Sequence, residues 1–480
     1  MARVEELLQR AAESWPQKLA VVDDSGAIDY RTLQERTESA SAQLTAAGLR
    51  PGHCIGIMLR DGWEFIACAL GAVACGAVVM PVSPRLKERE LDTMLTSAAA
   101  HALLDHGECG QNVRGSSKTL AIGGEVDLRL TWLAEQPSSS ITDRVADAAF
   151  VRFTSGTTGT SKGVVLSHQA IMERTAAANR GLGLGAEDTV LCVLPMAYHF
   201  FVSILLYVRY GATLTICRQH LAAAMLEDLT RHDATFLYAA PMHCQWLAAD
   251  ESGVALPSLR RVVSTSTSLA PQVAARFLDR YGLPIAQAYG IIEVGLPIAN
   301  FASALDKPGA VGRALADYEI EILDEALRPV REGDLGQLAV RGPGMFSAYL
   351  TPPSMRAEVL HNGWFLTADL ARRDADGDIT IAGRSISVIN VAGEKVFPEE
   401  VQEVLNLHPA VSCSRAFGSP STRIGEAVHA EVVLSEAGRG VSSQELTAFC
   451  RAHLSGFKVP QSVTVVDSVA QTPSGKIRRH

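Results

Sequence analysis

Hydrophobic and polar positions along this chain follow two alternating rhythms. Tyr30–Ala47 and Trp63–Cys75 carry apolar residues at helical spacing, while Cys54–Leu59 and Ala77–Val82 are short, nearly unbroken apolar runs. The first pattern belongs to helices with one buried stripe, the second to strands covered on both faces. The alternation returns with a strand at Thr189–Leu194, a helix at Phe201–Tyr210, a strand at Thr213–Cys217, a helix at Ala222–Arg231 and a strand at Thr235–Tyr238. This rhythm predicts an α/β fold with layered sheets and helices. From Val311 to Arg341 the pattern shifts to short strands and turns, including Tyr318–Leu323 and Gly336–Arg341, which predicts a small antiparallel or barrel-like section. Another shift near Gly383–Arg384 opens a run of roughly a hundred residues, long enough for a small α+β domain. Its expected elements are a strand at Ala427–Leu434, a helix at Ser443–Leu454 and a strand at Ser462–Val466.

Composition narrows the picture. A chain of 480 residues exceeds one ordinary core, so two or more domains are expected. With 47% hydrophobic and 20% charged residues it reads as a soluble globular enzyme. A net charge of −9 argues against nucleic acid as a partner, and any polyphosphate ligand would need locally concentrated positive charge or a metal ion. The nine cysteines are scattered, form no CxxC pair and lie mostly in apolar runs, which predicts buried free thiols in a reducing cytoplasm. Met1–Arg10 reads as the start of a charged amphipathic helix rather than a signal peptide. Phe65–Val82 carries no charge, but Gly71, Gly76 and Pro81 break it into a buried helix ending near Gly76 and a buried strand, not a membrane span.

The richest candidate chemistry lies in Phe153-Thr-Ser-Gly-Thr-Thr-Gly-Thr-Ser-Lys-Gly163. Three glycines, a run of hydroxyls and one lysine suit a loop that cradles a polyphosphate. The preceding Ala148–Phe153 reads as a strand, and Gly163–His168 is expected to lead into a helix capped by Ser167. Ser161 before Lys162 and Gly163 after it exclude a Walker A loop.

Further motifs follow in order: Ala288-Tyr-Gly-Ile-Ile-Glu293, Gly363-Trp-Phe-Leu-Thr-Ala-Asp369, Gly383–Gly393, Glu394-Lys-Val-Phe-Pro-Glu-Glu400 and Thr472-Pro-Ser-Gly-Lys-Ile-Arg478. Together with the loop they resemble the adenylate-forming superfamily of acyl- and aryl-CoA ligases, peptide-synthetase adenylation domains and beetle luciferases. The resemblance spans nearly the whole chain. It implies a large N-terminal domain at 1–383, a hinge at 384–386 and a small mobile C-terminal domain at 387–480. It also implies two half-reactions. A carboxylate attacks the α-phosphate of ATP to give an acyl-adenylate and pyrophosphate, and a thiol then displaces AMP. The thiol belongs to coenzyme A or to the phosphopantetheine of an acyl carrier protein.

The resemblance assigns Thr154, Ser155, Gly156, Thr157, Thr158, Gly159 and Lys162 to the phosphate cradle, Tyr289 to the adenine and Glu293 to magnesium. Asp369 would accept the ribose hydroxyls, Arg384 would reach the ribose or phosphate, and Lys476 would be the catalytic lysine. Rotation of the small domain would remove Lys476 and bring the Gly393 loop onto the thiol route. His199 and Phe200 match an aromatic gate beside the acid, with Tyr238, Met242, Ser266, Thr267, Gly290 and Leu296 as wall candidates.

Three positions depart from the pattern. Ile292 replaces the usual Thr or Ser before the glutamate, Ile386 replaces a polar hinge residue, and Ser264–Pro271 lacks the usual glycine. Leu194–Ser203 carries no carboxylate to pair with an ammonium, so α-amino acids are expected to be poor substrates. An apolar or aromatic monocarboxylic acid is the expected substrate. A carrier-protein acceptor, a non-carboxylate oxyanion such as nitrite, and a non-catalytic nucleotide-binding protein are the alternatives.

Overall fold

The computed structural model describes residues 3–86, 88–107, 113–122, 126–137, 139–153, 162–219, 221–384, 389–391, 394–421, 425–438, 440–454 and 456–469. The chain divides into two compact units. One comprises Met1–Thr154, Ser161–Glu319 and Arg341–Gly363, and the other includes Ile320–Val340 and Trp364–His480.

Two nine-stranded sheets build the first unit. One runs in the order Arg313–Ala314, Gly295–Ala299, Ile285–Ile291, Arg261–Ser264, Phe236–Ala239, Thr189–Cys192, Thr213–Ile216, Leu19–Asp23 and Gly26–Asp29. The other runs Pro353–Met355, Ala348–Leu350, Gly163–Ser167, Ala148–Phe153, Val78–Pro81, Cys54–Met58, Ala102–Asp105, Val126–Leu133 and Gly115–Ile122. Their central strands are parallel and covered on both faces, which explains the unbroken apolar runs. Cys54–Met58, for example, is buried at every position.

The uncharged stretch resolves into helix Trp63–Ala74, then Gly76 at φ 77°, then strand Val78–Pro81. Among the described residues, no helix is long and apolar enough to cross a membrane. Glu6–Ser14 forms the expected N-terminal helix.

Two elements differ from expectation. Gly163–Ser167 is a strand of its own, antiparallel to Ala148–Phe153, so the phosphate-loop candidate joins two strands of a hairpin. Val164, Val165 and Leu166 are fully buried there, and β-branched side chains fit a pleated, covered surface. The helix it leads into is the expected one, over His168–Leu182, with Ser167 as its cap accepting the Ala170 N–H at 3.1 Å and Gly183 ending it at φ 62°.

The predicted helix at 201–210 starts earlier, at Met196–His199. It widens into a π turn at Phe200–Ile204 and resumes as Leu205–Arg209. Such a turn holds one residue more than an α turn and recurs at functional sites. Phe200 packs on Phe65 at 5.4 Å and Phe150 at 5.9 Å between ring centroids, while Tyr207 reaches Phe236 at 6.4 Å. Phe150 and Phe236 belong to different sheets, so this helix lies between them.

In the second unit, Glu319–Leu323, Gly336–Arg341, Phe365–Arg373 and Ile379–Arg384 form a four-stranded sheet. This is the antiparallel alternative for the short strands near 311–341. The C-terminal sheet centres on the long hairpin Val411–Ser421 and Gly425–Leu434, with Ser462–Val465 alongside. Helices Pro398–Asn406 and Ser443–His453 close its core through Val401, Leu405, Leu446 and Cys450.

Candidate active site

Four adjacent parallel strands end on one side of the first sheet: Thr189–Cys192, Phe236–Ala239, Arg261–Ser264 and Ile285–Ile291. Ligands of α/β sheets bind outside such carboxyl ends, where the loops diverge. The last residues of these strands include Tyr238, Tyr289 and Gly290, and the segments leaving them carry His199, Ser266, Thr267 and Glu293. The first unit thus gathers most of the predicted acid-side and adenine-side residues.

On the acid side, the His199 and Tyr238 rings meet edge to face at 6.4 Å. Tyr238 is buried, and burial raises its phenol despite a hydrogen bond with Thr265. Phe200 has no exposed surface, so its ring serves the core between the sheets rather than a pocket wall. Leu296 is buried on the returning strand Gly295–Ala299, whereas Met242 is 41% exposed on helix Pro241–Ala248. The short helix Met196–His199 is fixed from outside, because the Asp61 carboxylate accepts the Met196 N–H at 2.9 Å.

Backbone geometry explains two local choices. A Cβ at Gly290 would stand 2.8 Å from the Gly295 carbonyl oxygen, so this bulged position needs glycine. Ser266 takes φ 79°, the left-handed conformation that glycine adopts freely. The glycine missing from Ser264–Pro271 is therefore replaced by a strained serine.

Glu293 is held from three directions. Its Oε1 accepts the Tyr349 hydroxyl at 2.9 Å, and its backbone carbonyl accepts the Phe346 N–H at 2.7 Å. Just before it, the Ile292 carbonyl accepts Arg174 Nη1 at 3.1 Å. Arg174 also donates through Nε to the Gly344 carbonyl at 3.0 Å, and burial lowers its pKa to about 10. Ile292 therefore contributes its backbone, with its side chain buried.

Lys162 Nζ stands 4.8 Å from the centre of the Tyr349 ring, within cation–π range. Tyr349 thus joins the loop lysine to the candidate metal carboxylate. Burial and the nearby Glu293 charge raise its phenol pKa, which keeps it a hydrogen-bond donor. Glu293 supplies hard carboxylate oxygen at a fixed position, which fits a magnesium ion otherwise held by phosphates and water. Neither Tyr349 nor Arg174 stands out in the sequence, since each lies in an ordinary amphipathic or apolar run.

Asp369 and Arg384 belong to the second unit. They face each other across adjacent strands, with Arg384 Nε 3.2 Å from Asp369 Oδ1. Asp369 is buried, and its N–H donates to Thr367 Oγ1 at 3.1 Å. Thr154, Ser155, Gly156, Thr157, Thr158, Gly159, Gly393 and Lys476 lie outside the described residues, as does Ile386.

A fixed carboxylate beyond the strand ends and a lysine at the edge of a Gly/Thr-rich segment fit a nucleotide-using enzyme. Residues 8–350 match the AMP-binding enzyme family and residues 400–476 the AMP-binding enzyme C-terminal domain, and the chain belongs to this family. A sulfoacetate–CoA ligase of Cupriavidus necator is 28% identical, over 98% of this chain and 96% of that one. A 2-succinylbenzoate–CoA ligase of Geobacillus is 27% identical, over 99% and 96%. The solved structure of an amide bond synthetase from Marinactinospora thermotolerans superposes with a TM-score of 0.84 at 26% identity, covering 99% of this chain and 98% of that one.

Proposed function

We propose that this protein activates an apolar or aromatic monocarboxylic acid with ATP and transfers the acyl group to coenzyme A. In the first step a carboxylate oxygen attacks the α-phosphorus, the bond to the bridging oxygen breaks, and pyrophosphate leaves. In the second the thiol sulfur attacks the acyl carbon and AMP departs with the bonding pair. Both first reactants are anions, so positive charge must offset their repulsion before an in-line approach.

The observation that carries this reading is the Lys162–Tyr349–Glu293 arrangement. Lys162 would hold the terminal phosphates, and Glu293 would hold magnesium, which neutralises phosphate charge when bound. Tyr349 keeps those two groups in register. Tyr289 would lie along adenine, Asp369 would accept the ribose hydroxyls with Arg384 beside it, and Lys476 would bridge the carboxylate and the α-phosphate. His199, Tyr238 and Leu296 would surround the acid. Residues 384–386 would form the hinge on which the C-terminal segment reorients between steps. The eight described cysteines are all free, which supports a cytoplasmic setting.

The test is ATP–pyrophosphate exchange over a panel of alkyl and aryl acids, followed by thioester detection with coenzyme A. Exchange and thioester with an apolar acid are expected. Absence of exchange with every acid would overturn the proposal. Exchange without thioester would move the acceptor to a carrier protein or an amine, as the name of the structurally similar amide bond synthetase would have it.

A further inference from the structure

Arg152 is a cation in an apolar strand. It sits in Ala148–Phe153, one residue before the strand ends, among positions that are otherwise buried. Side chains two apart share a face of a strand. Arg152 therefore shares its face with Phe150, which packs against Phe200 and Phe201 of the helix between the sheets. Its guanidinium stands 5.6 Å from the centre of the Tyr198 ring, on the residue preceding His199.

The contrast with Arg174 is instructive. Arg174 is fully buried near Glu293, where Arg152 is only half-buried, and it donates to the carbonyls of Gly344 and Ile292. Arg152 Nε is closed off from water and has no hydrogen-bond acceptor, and among the described residues no carboxylate pairs with it. Glu293 attracts it through space, yet Glu293 already accepts the Tyr349 hydroxyl. Loss of hydration lowers the Arg152 pKa to about 10, which leaves it charged at neutral pH. The buried Arg174 and the half-buried Arg152 both feel the Glu293 charge, and Lys162 meets the Tyr349 ring whose hydroxyl bonds Glu293, a local concentration of positive charge in a protein of net charge −9. A half-buried cation with one nitrogen shut off from water and unbonded is costly to the fold, and a cation left in that state is poised for an anion that arrives.

We propose that Arg152 binds the carboxylate of the acid substrate and holds it beside Tyr198 and His199 for attack on the α-phosphorus. This rests on the acid-activating reading above. Lys162, across the Tyr349 ring, serves the phosphates, whereas Arg152 faces the helix that carries His199. Arg152 stands on the same strand as the phosphate loop, so its charge stays at the site whichever way the C-terminal segment turns. It would fix the carboxylate before Lys476 engages it.

The experiment compares the wild type with Arg152→Met and Arg152→Lys, using benzoate and hexanoate as probes. Losing a charge-assisted hydrogen bond should raise the KM for acid in exchange by about ten- to a hundredfold in Arg152→Met, with the KM for ATP nearly unchanged. Arg152→Lys should recover part of that loss. The melting temperature of Arg152→Met should hold or rise, since a half-buried charge with no paired carboxylate is replaced by an apolar chain of similar length. Added benzoate should raise the melting temperature of the wild type but not of Arg152→Met, a readout independent of catalysis. An unchanged acid KM, a KM for ATP that rises in step, or a melting temperature that falls in Arg152→Met would each overturn the assignment. If wild type shows no exchange while the benzoate shift still depends on Arg152, the anion site stands and the ligase reading fails. If neither is seen, both fail.

Discussion

Tyr349 places its hydroxyl on Glu293 and its ring face under Lys162. Tyr349→Phe keeps the ring and removes only the hydroxyl. A hydrogen bond to a charged group contributes about 1.5–3 kcal/mol, so the exchange rate should fall roughly ten- to a hundredfold. The fold should change little, because Phe fills the same space, and exchange kinetics beside a thermal melt check both points. At this scale the sequence was readable where a residue sits in a motif and silent where it acts from afar. Glu293 and Lys162 lie in recognisable strings. Tyr349 is 56 residues from Glu293 and reaches it through the pairing of Ala348–Leu350 with Gly163–Ser167 and the nearby bond of the Phe346 N–H to the Glu293 carbonyl. Arg152 did give a signal, a charge inside an apolar strand, whose meaning depended on what lay across from it. The absence of glycine from Ser264–Pro271 was likewise visible, but only the backbone shows that Ser266 adopts glycine's conformation.

Elements were legible where their pattern is long and ambiguous where it is short. Trp63–Ala74 and its following strand came through because glycine breaks the apolar run. Gly163–Ser167 has five residues, too few to distinguish a strand from the first turn of a helix, and its partner strand decides the outcome. At the edge of the strands Cys54–Met58 and Ala102–Asp105, His53 and His101 stack at 4.4 Å. The His101 Nδ1 accepts the Cys54 N–H at 3.0 Å, so that nitrogen must be unprotonated. Burial first, then His53, lowers the His101 pKa from 6.5 to about 4. The unfolded chain therefore binds this proton more readily than the folded one. The stability that His101 contributes is fully present above about pH 6.5, and is lost as the pH falls through about 4. Melting temperatures from pH 7 to pH 4 should fall more steeply for the wild type than for His101→Gln, whose amide oxygen can accept the same N–H without titrating. Parallel profiles would remove His101 from the account.

At the scale of the whole molecule, the family and the two-unit division were within reach because six motifs keep one order over nearly the entire chain. The exact partition was not, since Ile320–Val340 groups with the C-terminal residues although Arg341–Gly363 belongs to the first unit. The division follows sheet pairing, which crosses back and forth along the chain. The C-terminal lysine belongs to this scale because its proposed role would need one unit to meet the chemistry of the other. Lys476→Ala should leave ATP binding within about twofold while adenylate formation falls by about two orders of magnitude or more, as expected for charge offered chiefly to the transition state. Equilibrium ATP binding and single-turnover adenylation separate the two quantities. Equal losses in both would place Lys476 in nucleotide binding instead.

The wide turn at Phe200–Ile204 separates two jobs within one helix. Leu205–Arg209 belongs to the packing between the sheets, and Met196–His199 would, on the proposed reading, present Tyr198 and His199 to the substrate. Each residue of an α-helix advances about 100° around its axis. Deleting one residue from the turn would rotate the substrate-facing end by about that angle while the packed end kept its register. The turn is thus a phase adjuster. Acid preference in this scaffold can be retuned by a change of length as well as by substitution, with the core left in place.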